Sequence, residues 1–133
     1  NGLTPVLCVG ETKKEKDAGQ KEKVIKRQVE KGLSLLTKSS KLKAQSFFIA
    51  YEPVWAIGTG EPETPESAVL TIKFIKKLLK ANSSKLKAIV LYGGSVNSNN
   101  LADYIKFKEI DGALVGGASL NKEEVKKMAA YLK

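Results

Sequence analysis

Four short runs of apolar residues recur along the chain, and each is followed by a stretch in which apolar residues return at helical spacing. The four runs span residues 4–9, 47–51, 88–92 and 112–115. Short continuous apolar runs are typical of strands that are buried on both faces. The alternation of strands with helices therefore predicts a parallel sheet in a single α/β domain over residues 1–133.

The intervening stretches predict amphipathic helices with recognisable starts and stops. Gly19 breaks a first polar helical segment, and Thr64-Pro65 is a strong helix start, a capping hydroxyl before a proline. Asn121 and Glu124 match the capping-box spacing. Residues 37–45 and 52–63 are predicted loops, and residues 99–105 a short helix. The apolar face of the last helix is predicted to consist of Val125, Met128, Ala129 and Leu132.

Both faces of such a sheet need a cover. Helices can cover one face, and four strands are too few to close a barrel, so the second face needs another layer. An open doubly wound sheet, with helices on both faces, is the alternative.

The composition excludes several kinds of site. The chain has no histidine, which rules out histidine-based triads, zinc sites built on histidine and imidazole acid–base catalysis. Its single cysteine, Cys8, cannot form a disulfide within the chain and fits a reducing, cytoplasmic compartment. No apolar run approaches the ~20 residues of a membrane-spanning helix, so no membrane association is expected.

The formal net charge is +9, but the basic residues are almost all lysines, with Arg27 the single arginine. Nucleic-acid-binding proteins are usually richer in arginine and place aromatic residues among the basic ones. We therefore expect solvated helix faces and no nucleic-acid partner. A weaker alternative is long-range attraction of an anionic small molecule.

Chemistry-bearing residues cluster where the predicted strands end. Glycine-bearing turns follow three strands, at residues 58–60, 93–94 and 116–117. Such turns let backbone N–H groups approach an anion, although plain turns use glycine as well. Glu52 directly follows the second strand, where a shielded carboxylate is suited to act as a general base, the alternative being a solvated loop glutamate. For Glu11, after the first strand, a salt bridge or a turn is favoured.

Four segments together resemble the triosephosphate isomerase family. They are PVLCVGE at residues 5–11, AYEPVWAIGTG at 50–60, LYGGSV at 91–96 and DGALVGGASL at 111–120. The resemblance runs in order along the whole chain. It implies half of a TIM (β/α)8 barrel, strand–helix units five to eight, since a complete barrel takes ~250 residues.

The resemblance also implies roles for particular residues. Glu52 would be the catalytic base that interconverts glyceraldehyde 3-phosphate and dihydroxyacetone phosphate through an enediol(ate), a glycolytic and gluconeogenic reaction that needs no cofactor or metal. The family is itself the usual illustration of such a base and of a closing lid. The lid would comprise Pro53, Val54, Trp55, Ala56, Ile57, Gly58, Thr59 and Gly60. Phosphate donors would be Gly58, Ser95, Gly116 and Gly117, and Cys8, Glu11 and Leu114 would support the pocket.

The same resemblance implies that the other half of the barrel carries a substrate lysine and an electrophilic histidine. We therefore expect this chain alone to be inactive and to need an N-terminal half-barrel or a second copy of itself, most simply as a dimer. The absence of an initiator methionine indicates a fragment or a processed product of a split gene. A pair between Lys76 and Asp111 is also expected, weaker than the arginine pair of many relatives. The alternatives are a non-enzymatic half-barrel that binds phosphate or sulfate, and a self-associating scaffold.

Overall fold

Four strands and five α-helices alternate along the residues that the computed structural model describes, 3–38, 46–82 and 87–132. The strands are β1 (Val6–Val9), β2 (Ser46–Tyr51), β3 (Lys87–Tyr92) and β4 (Gly112–Ala113). The helices are α1 (Lys13–Asp17), α2 (Lys21–Lys38), α3 (Pro65–Asn82), α4 (Leu101–Ile105) and α5 (Lys122–Ala129). Short 3-10 helices lie at Val54–Ala56, Gly117–Leu120 and Ala130–Leu132.

All strand pairs are parallel, and the strand order in the sheet is β1-β2-β3-β4. Val6 pairs with Phe48, which pairs with Ile89. The predicted parallel sheet is thus confirmed. The last strand is shorter than predicted and ends at Ala113, although the N–H of Leu114 still donates to the carbonyl oxygen of Tyr92 at 2.9 Å.

Helices cover one face of the sheet. The covered face is buried among residues of α2 and α3, which pack against the strands. Its fully buried strand residues are Val9, Phe47, Ile49, Tyr51, Val90 and Tyr92. On the opposite face Val6 is 49% and Ile89 is 40% exposed, and Cys8 is exposed as well. The doubly wound alternative is therefore wrong, and the second face is open in the described part of the chain.

The helix boundaries follow local chemistry. Gly19 adopts a left-handed backbone (φ +66°) after α1, a conformation that favours glycine. The hydroxyl of Thr64 accepts a hydrogen bond from the N–H of Ser67 at 3.4 Å, as a cap of α3. Helix α2 continues to Lys38, so the start of the loop predicted at residues 37–45 is wrong, and residues 39–45 lie outside the described residues.

The predicted capping box at α5 is only half formed. Asn121 Oδ1 accepts hydrogen bonds from the N–H groups of Glu123 and Glu124, at 2.9 and 3.2 Å. The carboxylate of Glu124 instead accepts from the N–H and the hydroxyl of Ser98, at 2.9 and 3.0 Å. Ser98 is buried and needs a partner for both donors, which explains why Glu124 turns away from the start of its own helix.

The apolar face predicted for α5 is also only partly covered. Met128 is buried, but Val125 is 42% exposed and Ala129 is exposed. The side chain of Leu132 lies outside the described residues. No helix among residues 3–38, 46–82 and 87–132 is long and apolar enough to cross a membrane.

Candidate active site at the carboxyl ends of the strands

Glu52 follows β2 at the edge of the sheet where the strands end. Its N–H donates to the carbonyl oxygen of Val9 at 2.7 Å. A Cβ on Gly10 would lie 1.7 Å from the carbonyl oxygen of Glu52, so only glycine lets the end of β1 approach so closely. The Glu52 side chain lies against Gly93, at the end of β3, and is half-buried. Two glycines therefore position the backbone and the side chain of the candidate base.

Cys8 lies beside Glu52 on the open face of the sheet, because Cys8 pairs with Ala50, two residues before Glu52. Burial raises the pKa of the Cys8 thiol, and the hydrogen bond and negative charge of Glu52 raise it further. The thiol is therefore kept protonated beside the carboxylate.

Glu11, by contrast, is fully buried, and its carboxylate is engaged in hydrogen bonds and an ion pair. Its carboxylate accepts hydrogen bonds from the indole N–H of Trp55 at 3.0 Å and from the Tyr51 hydroxyl at 3.3 Å. The ammonium of Lys21 lies 4.0 Å away. The salt bridge that was one of the two interpretations favoured for Glu11 is therefore present, with Lys21 as the partner.

The candidate lid is anchored at its start and exposed at its tip. Ala56 is fully buried in the 3-10 helix Val54–Ala56, and the Lys16 ammonium lies 3.3 Å from the centre of the Trp55 ring. Gly58 and Gly60 both adopt positive φ, +69° and +77°, and are exposed. An exposed tip between two left-handed glycines can move without disturbing the packed start of the segment.

The end of this segment is held by Glu63, a residue that the sequence did not single out. Glu63 is buried, and its carboxylate lies 2.7 Å from the Lys21 ammonium and 3.8 Å from that of Lys16. Its N–H donates to the Tyr92 hydroxyl at 3.1 Å. Nothing in the sequence pairs Glu63 with Lys21, since the two lie far apart along the chain.

The candidate phosphate donors Ser95, Gly116 and Gly117 follow the neighbouring strands β3 and β4, at the same edge as Glu52. Gly117 begins a 3-10 helix, and both glycines are exposed. The hydroxyl and the N–H of Ser119 donate to the carbonyl oxygen of Gly116, at 2.7 and 2.9 Å, which fixes this turn. An exposed glycine turn at a strand end can present N–H groups to an anion.

The surroundings of Ser95, Leu114 and Gly58, three further candidate residues, differ from one another. Ser95 is half-buried, and its carbonyl oxygen accepts from the side-chain amide of Asn100 at 3.0 Å. Leu114 is half-buried directly after β4. Gly58 lies on the exposed lid tip, and no hydrogen bond within the described residues joins it to Ser95 or Gly117. In this conformation the candidate donor on the lid, Gly58, is thus not linked by a hydrogen bond to the candidate donors Ser95 and Gly117 at the strand ends.

The geometry combines a carboxylate with strand-end turns able to receive an anion. A carboxylate at such an edge can act as a general base, and the turns can present N–H groups to an anion. In the described part of the chain, no group of three or more histidine, cysteine, aspartate or glutamate residues could hold a metal ion.

Comparison with known proteins places the chain in a family. The family model described as triosephosphate isomerase matches residues 1–132. The chain is 47% identical over 133 residues to triosephosphate isomerase of Endomicrobium trichonymphae, an alignment that covers 98% of this chain and 52% of that protein. It is 46% identical over 129 residues to triosephosphate isomerase of Aquifex aeolicus, covering 96% of this chain and 51% of the other.

The match to triosephosphate isomerase of Mycoplasma mobile is of the same kind, 47% identical over 121 residues, with 91% of this chain and 46% of that protein covered. The chain spans about half the length of the curated relatives that it matches. Its four parallel strands with alternating helices form half of a TIM barrel. The chain belongs to the triosephosphate isomerase family.

Proposed function

We propose that this chain supplies strand–helix units five to eight of a triosephosphate isomerase, with Glu52 as the base and residues 53–60 as the lid. The observation that carries the proposal is the position of Glu52. Its side chain is seated against Gly93 on the open face of the sheet, at the edge where the Gly116–Gly117 turn also lies. This edge holds both a proton acceptor and a candidate anion site.

In the proposed reaction, Glu52 takes a proton from the carbon next to the carbonyl group of a triose phosphate. The electrons of the broken C–H bond form the carbon–carbon double bond of an enediol(ate), and the carbonyl oxygen receives the charge. The isomeric triose phosphate forms when the proton returns to the neighbouring carbon and the hydroxyl proton of one carbon passes to the oxygen of the other, a transfer for which the electrophile of the missing half would be the mediator. Ser95, Gly116, Gly117 and, after lid closure, Gly58 would hold the phosphate.

The developing charge on the carbonyl oxygen needs an electrophile, and this chain has no histidine to supply one. Removing a preorganised donor of this kind typically costs ~10²–10³ in rate. We therefore propose that the chain alone lacks useful isomerase activity. The histidine and the substrate lysine would come from an N-terminal half.

The open face of the sheet is where such a half would dock. Its exposed apolar residues, including Val6 and Ile89, correspond to the inner wall of a barrel, which opposing strands fill with side chains. Either an N-terminal half-barrel or a second copy of this chain could cover that face. Only the N-terminal half would supply the electrophile.

The decisive experiment is an isomerase assay of the purified chain, with and without the N-terminal half of a relative such as the Aquifex aeolicus enzyme. We expect activity only in the mixture, and Glu52→Gln should abolish it. Turnover by the chain alone at the rate of a complete enzyme, lost in Glu52→Gln, would contradict the proposed need for a second half. A mixture that forms a complex but stays inactive would contradict the proposed role of the site.

A second candidate function is phosphate binding without catalysis, favoured by the exposed Gly116–Gly117 turn and the net positive charge. Phosphate titrated at constant ionic strength should raise the melting temperature of the isolated chain if the turn holds an anion. Binding without activity in any mixture would favour this function. No shift relative to chloride and no activity would favour a self-associating scaffold.

A further inference from the structure

Residues 53–63 are held at both ends by one charge cluster, in which the partly buried lysines Lys16 and Lys21 surround the buried side chains of Glu11, Tyr51 and Glu63. We propose that this cluster couples the two ends of the segment, so that they loosen together, and that Lys16, Lys21 and Glu63 are positioning residues of the lid.

The start of the segment is attached to the cluster through Trp55. The indole N–H donates to Glu11 Oε1 at 3.0 Å, and the Lys16 ammonium lies over the ring at 3.3 Å from its centre. A cation this close to the face of an indole is attracted by the ring electrons. The Trp55 ring is therefore held at its edge and at one face.

The end of the segment is attached through Glu63. Its two carboxylate oxygens are divided between two lysines, with Oε2 2.7 Å from Lys21 and Oε1 3.8 Å from Lys16. The backbone of Glu63 is also fixed, because its N–H donates to Tyr92 and its carbonyl oxygen accepts from Tyr104. Lys21 donates a further hydrogen bond to Ser67, in the first turns of α3, at 3.2 Å.

Three residues belong to both attachments. The Lys21 ammonium lies 4.0 Å from a carboxylate oxygen of Glu11 and 2.7 Å from one of Glu63. The Lys16 ammonium contacts the Trp55 ring at one end and the Glu63 carboxylate at the other. The Tyr51 hydroxyl lies 3.3 Å from oxygens of both Glu11 and Glu63. With two carboxylates and two ammonium groups, the cluster is electrically neutral as a whole.

Shared partners make the two ends interdependent. If Trp55 moves away, Lys16 loses its ring contact and is freer to leave Glu63. If Glu63 loses its charge, Lys16 keeps its contact with the Trp55 ring but loses its carboxylate, and Lys21 keeps only the more distant carboxylate of Glu11, at 4.0 Å. Residues that share a charge network show coupled, non-additive energies, and the coupling acts equally in both directions.

The coupling itself depends only on contacts within this chain. Its importance for lid closure over a substrate rests on the proposed function. The experiment below therefore measures the lid without any substrate, so a failure of the coupling and a failure of the isomerase proposal would be seen separately.

Trp55 is the only tryptophan of the chain, so its fluorescence reports the start of the segment. The opposite end is altered by Glu63→Gln, which removes the charge at nearly constant shape, or by Lys21→Met. Matched controls are Glu61→Gln and Lys23→Met, since both residues are exposed and form no ion pair within the described part of the chain. The experiment measures acrylamide quenching and fluorescence anisotropy of Trp55. It also measures hydrogen exchange of the backbone amides in residues 54–64.

We expect Glu63→Gln and Lys21→Met to increase acrylamide quenching of Trp55 and to lower its anisotropy. Exchange of the lid amides should rise roughly fivefold, within the range typical of local opening. The two control variants should match the unaltered chain. Unchanged Trp55 signals in both Glu63→Gln and Lys21→Met, with circular dichroism showing intact helices, would overturn the proposal.

The link through Lys16 is tested by a double-mutant cycle. Hydrogen exchange near Glu63 is compared in the unaltered chain, Trp55→Phe, Lys16→Met and the double variant. Coupling predicts that Trp55→Phe speeds exchange near Glu63 and that this effect shrinks when Lys16 is already Met. Purely additive effects would remove Lys16 as the link, and this readout remains usable if Glu63→Gln fails to fold.

Discussion

Gly93 and Glu52 are in direct steric contact at the carboxyl edge of the sheet: a Cβ on Gly93 would lie 2.5 Å from Cγ and 3.2 Å from Cδ of Glu52. Gly93 does not have a positive φ, so its backbone conformation does not require glycine. The requirement is space for the carboxylate side chain of the neighbouring strand.

Gly93→Ala should therefore displace Glu52 while leaving the sheet intact. In a complex with the N-terminal half, we expect the isomerase rate to fall roughly 100-fold, as small misplacements of a reacting group can do. Gly112→Ala is the matched control, because its Cβ would meet only a side-chain methyl of Leu91 at 3.2 Å. Equal activity of the two variants would show that the contact with Gly93 does not position the base.

Cys8 provides a second readout of the same carboxylate. Since Glu52 adds to the effect of burial in raising the pKa of the thiol, Glu52→Gln should lower that pKa. Alkylation by iodoacetamide at pH 7.5 should then become roughly threefold faster, because more thiolate is present. Glu22→Gln, a change at an exposed glutamate of α2, should leave the rate unchanged. A slower reaction in Glu52→Gln would contradict this contact.

The charge cluster around Glu63 predicts a loss of stability in acid. Burial opposes the charge of Glu63, but Lys21, aided by Lys16 and Tyr51, outweighs it and holds the pKa of this carboxyl below its ordinary value of 4.5. A depressed pKa in the folded state contributes stability above pH ~4.5 that is lost as the pH falls through the folded pKa.

Urea unfolding between pH 3 and 7 measures this effect. Glu63→Gln should cost about 1–3 kcal/mol at pH 7, because Lys21 loses its closest carboxylate, 2.7 Å away. The variant should also lose less stability than the unaltered chain as the pH falls. Parallel pH profiles of the two proteins would contradict the assignment.

Asp111, just before β4, contacts α3 and β3, and we predict that these contacts stabilise the fold. Its carboxylate accepts from the Lys76 ammonium and from the N–H of Val90, both at 2.7 Å, so the expected ion pair is present. Asp111→Ala would leave the Val90 N–H without this acceptor and should lower the unfolding free energy by about 1–3 kcal/mol. Thermal melts of the variants measure this loss. In the same measurement the control Asp17→Ala, which breaks the exposed pair with Lys13, should lower the unfolding free energy by less than about 1 kcal/mol.

The open face of the sheet predicts self-association of the isolated chain. Exposed apolar residues such as Val6 and Ile89, together with the edges of β1 and β4 in the described sheet, favour burial against a second copy. Sedimentation at micromolar concentration should show a dimer. A compact monomer with a cooperative melt would contradict this expectation, as would a molten monomer that binds hydrophobic dyes.

The strands and most helices could be predicted because their signals are local. The apolar run ending at Tyr51 and the Thr64-Pro65 start of α3 need only their sequence neighbours. The partners of Glu63 and Glu124 could not be predicted, since Lys21 and Ser98 reach them only after the chain has folded. Residue pattern also could not show which of two apolar strand faces remains open, because both faces read as buried.

The strand order β1-β2-β3-β4 follows the chain without a reversal. Each new strand therefore joins an edge made by the strand synthesised just before it, and no earlier pair has to open to admit a later one. During synthesis these four strands can therefore pair one after another, as each strand–helix unit emerges after the one that it packs against. Among the four described strands β4 is the last to be synthesised, and it is added to the edge that β3 presents.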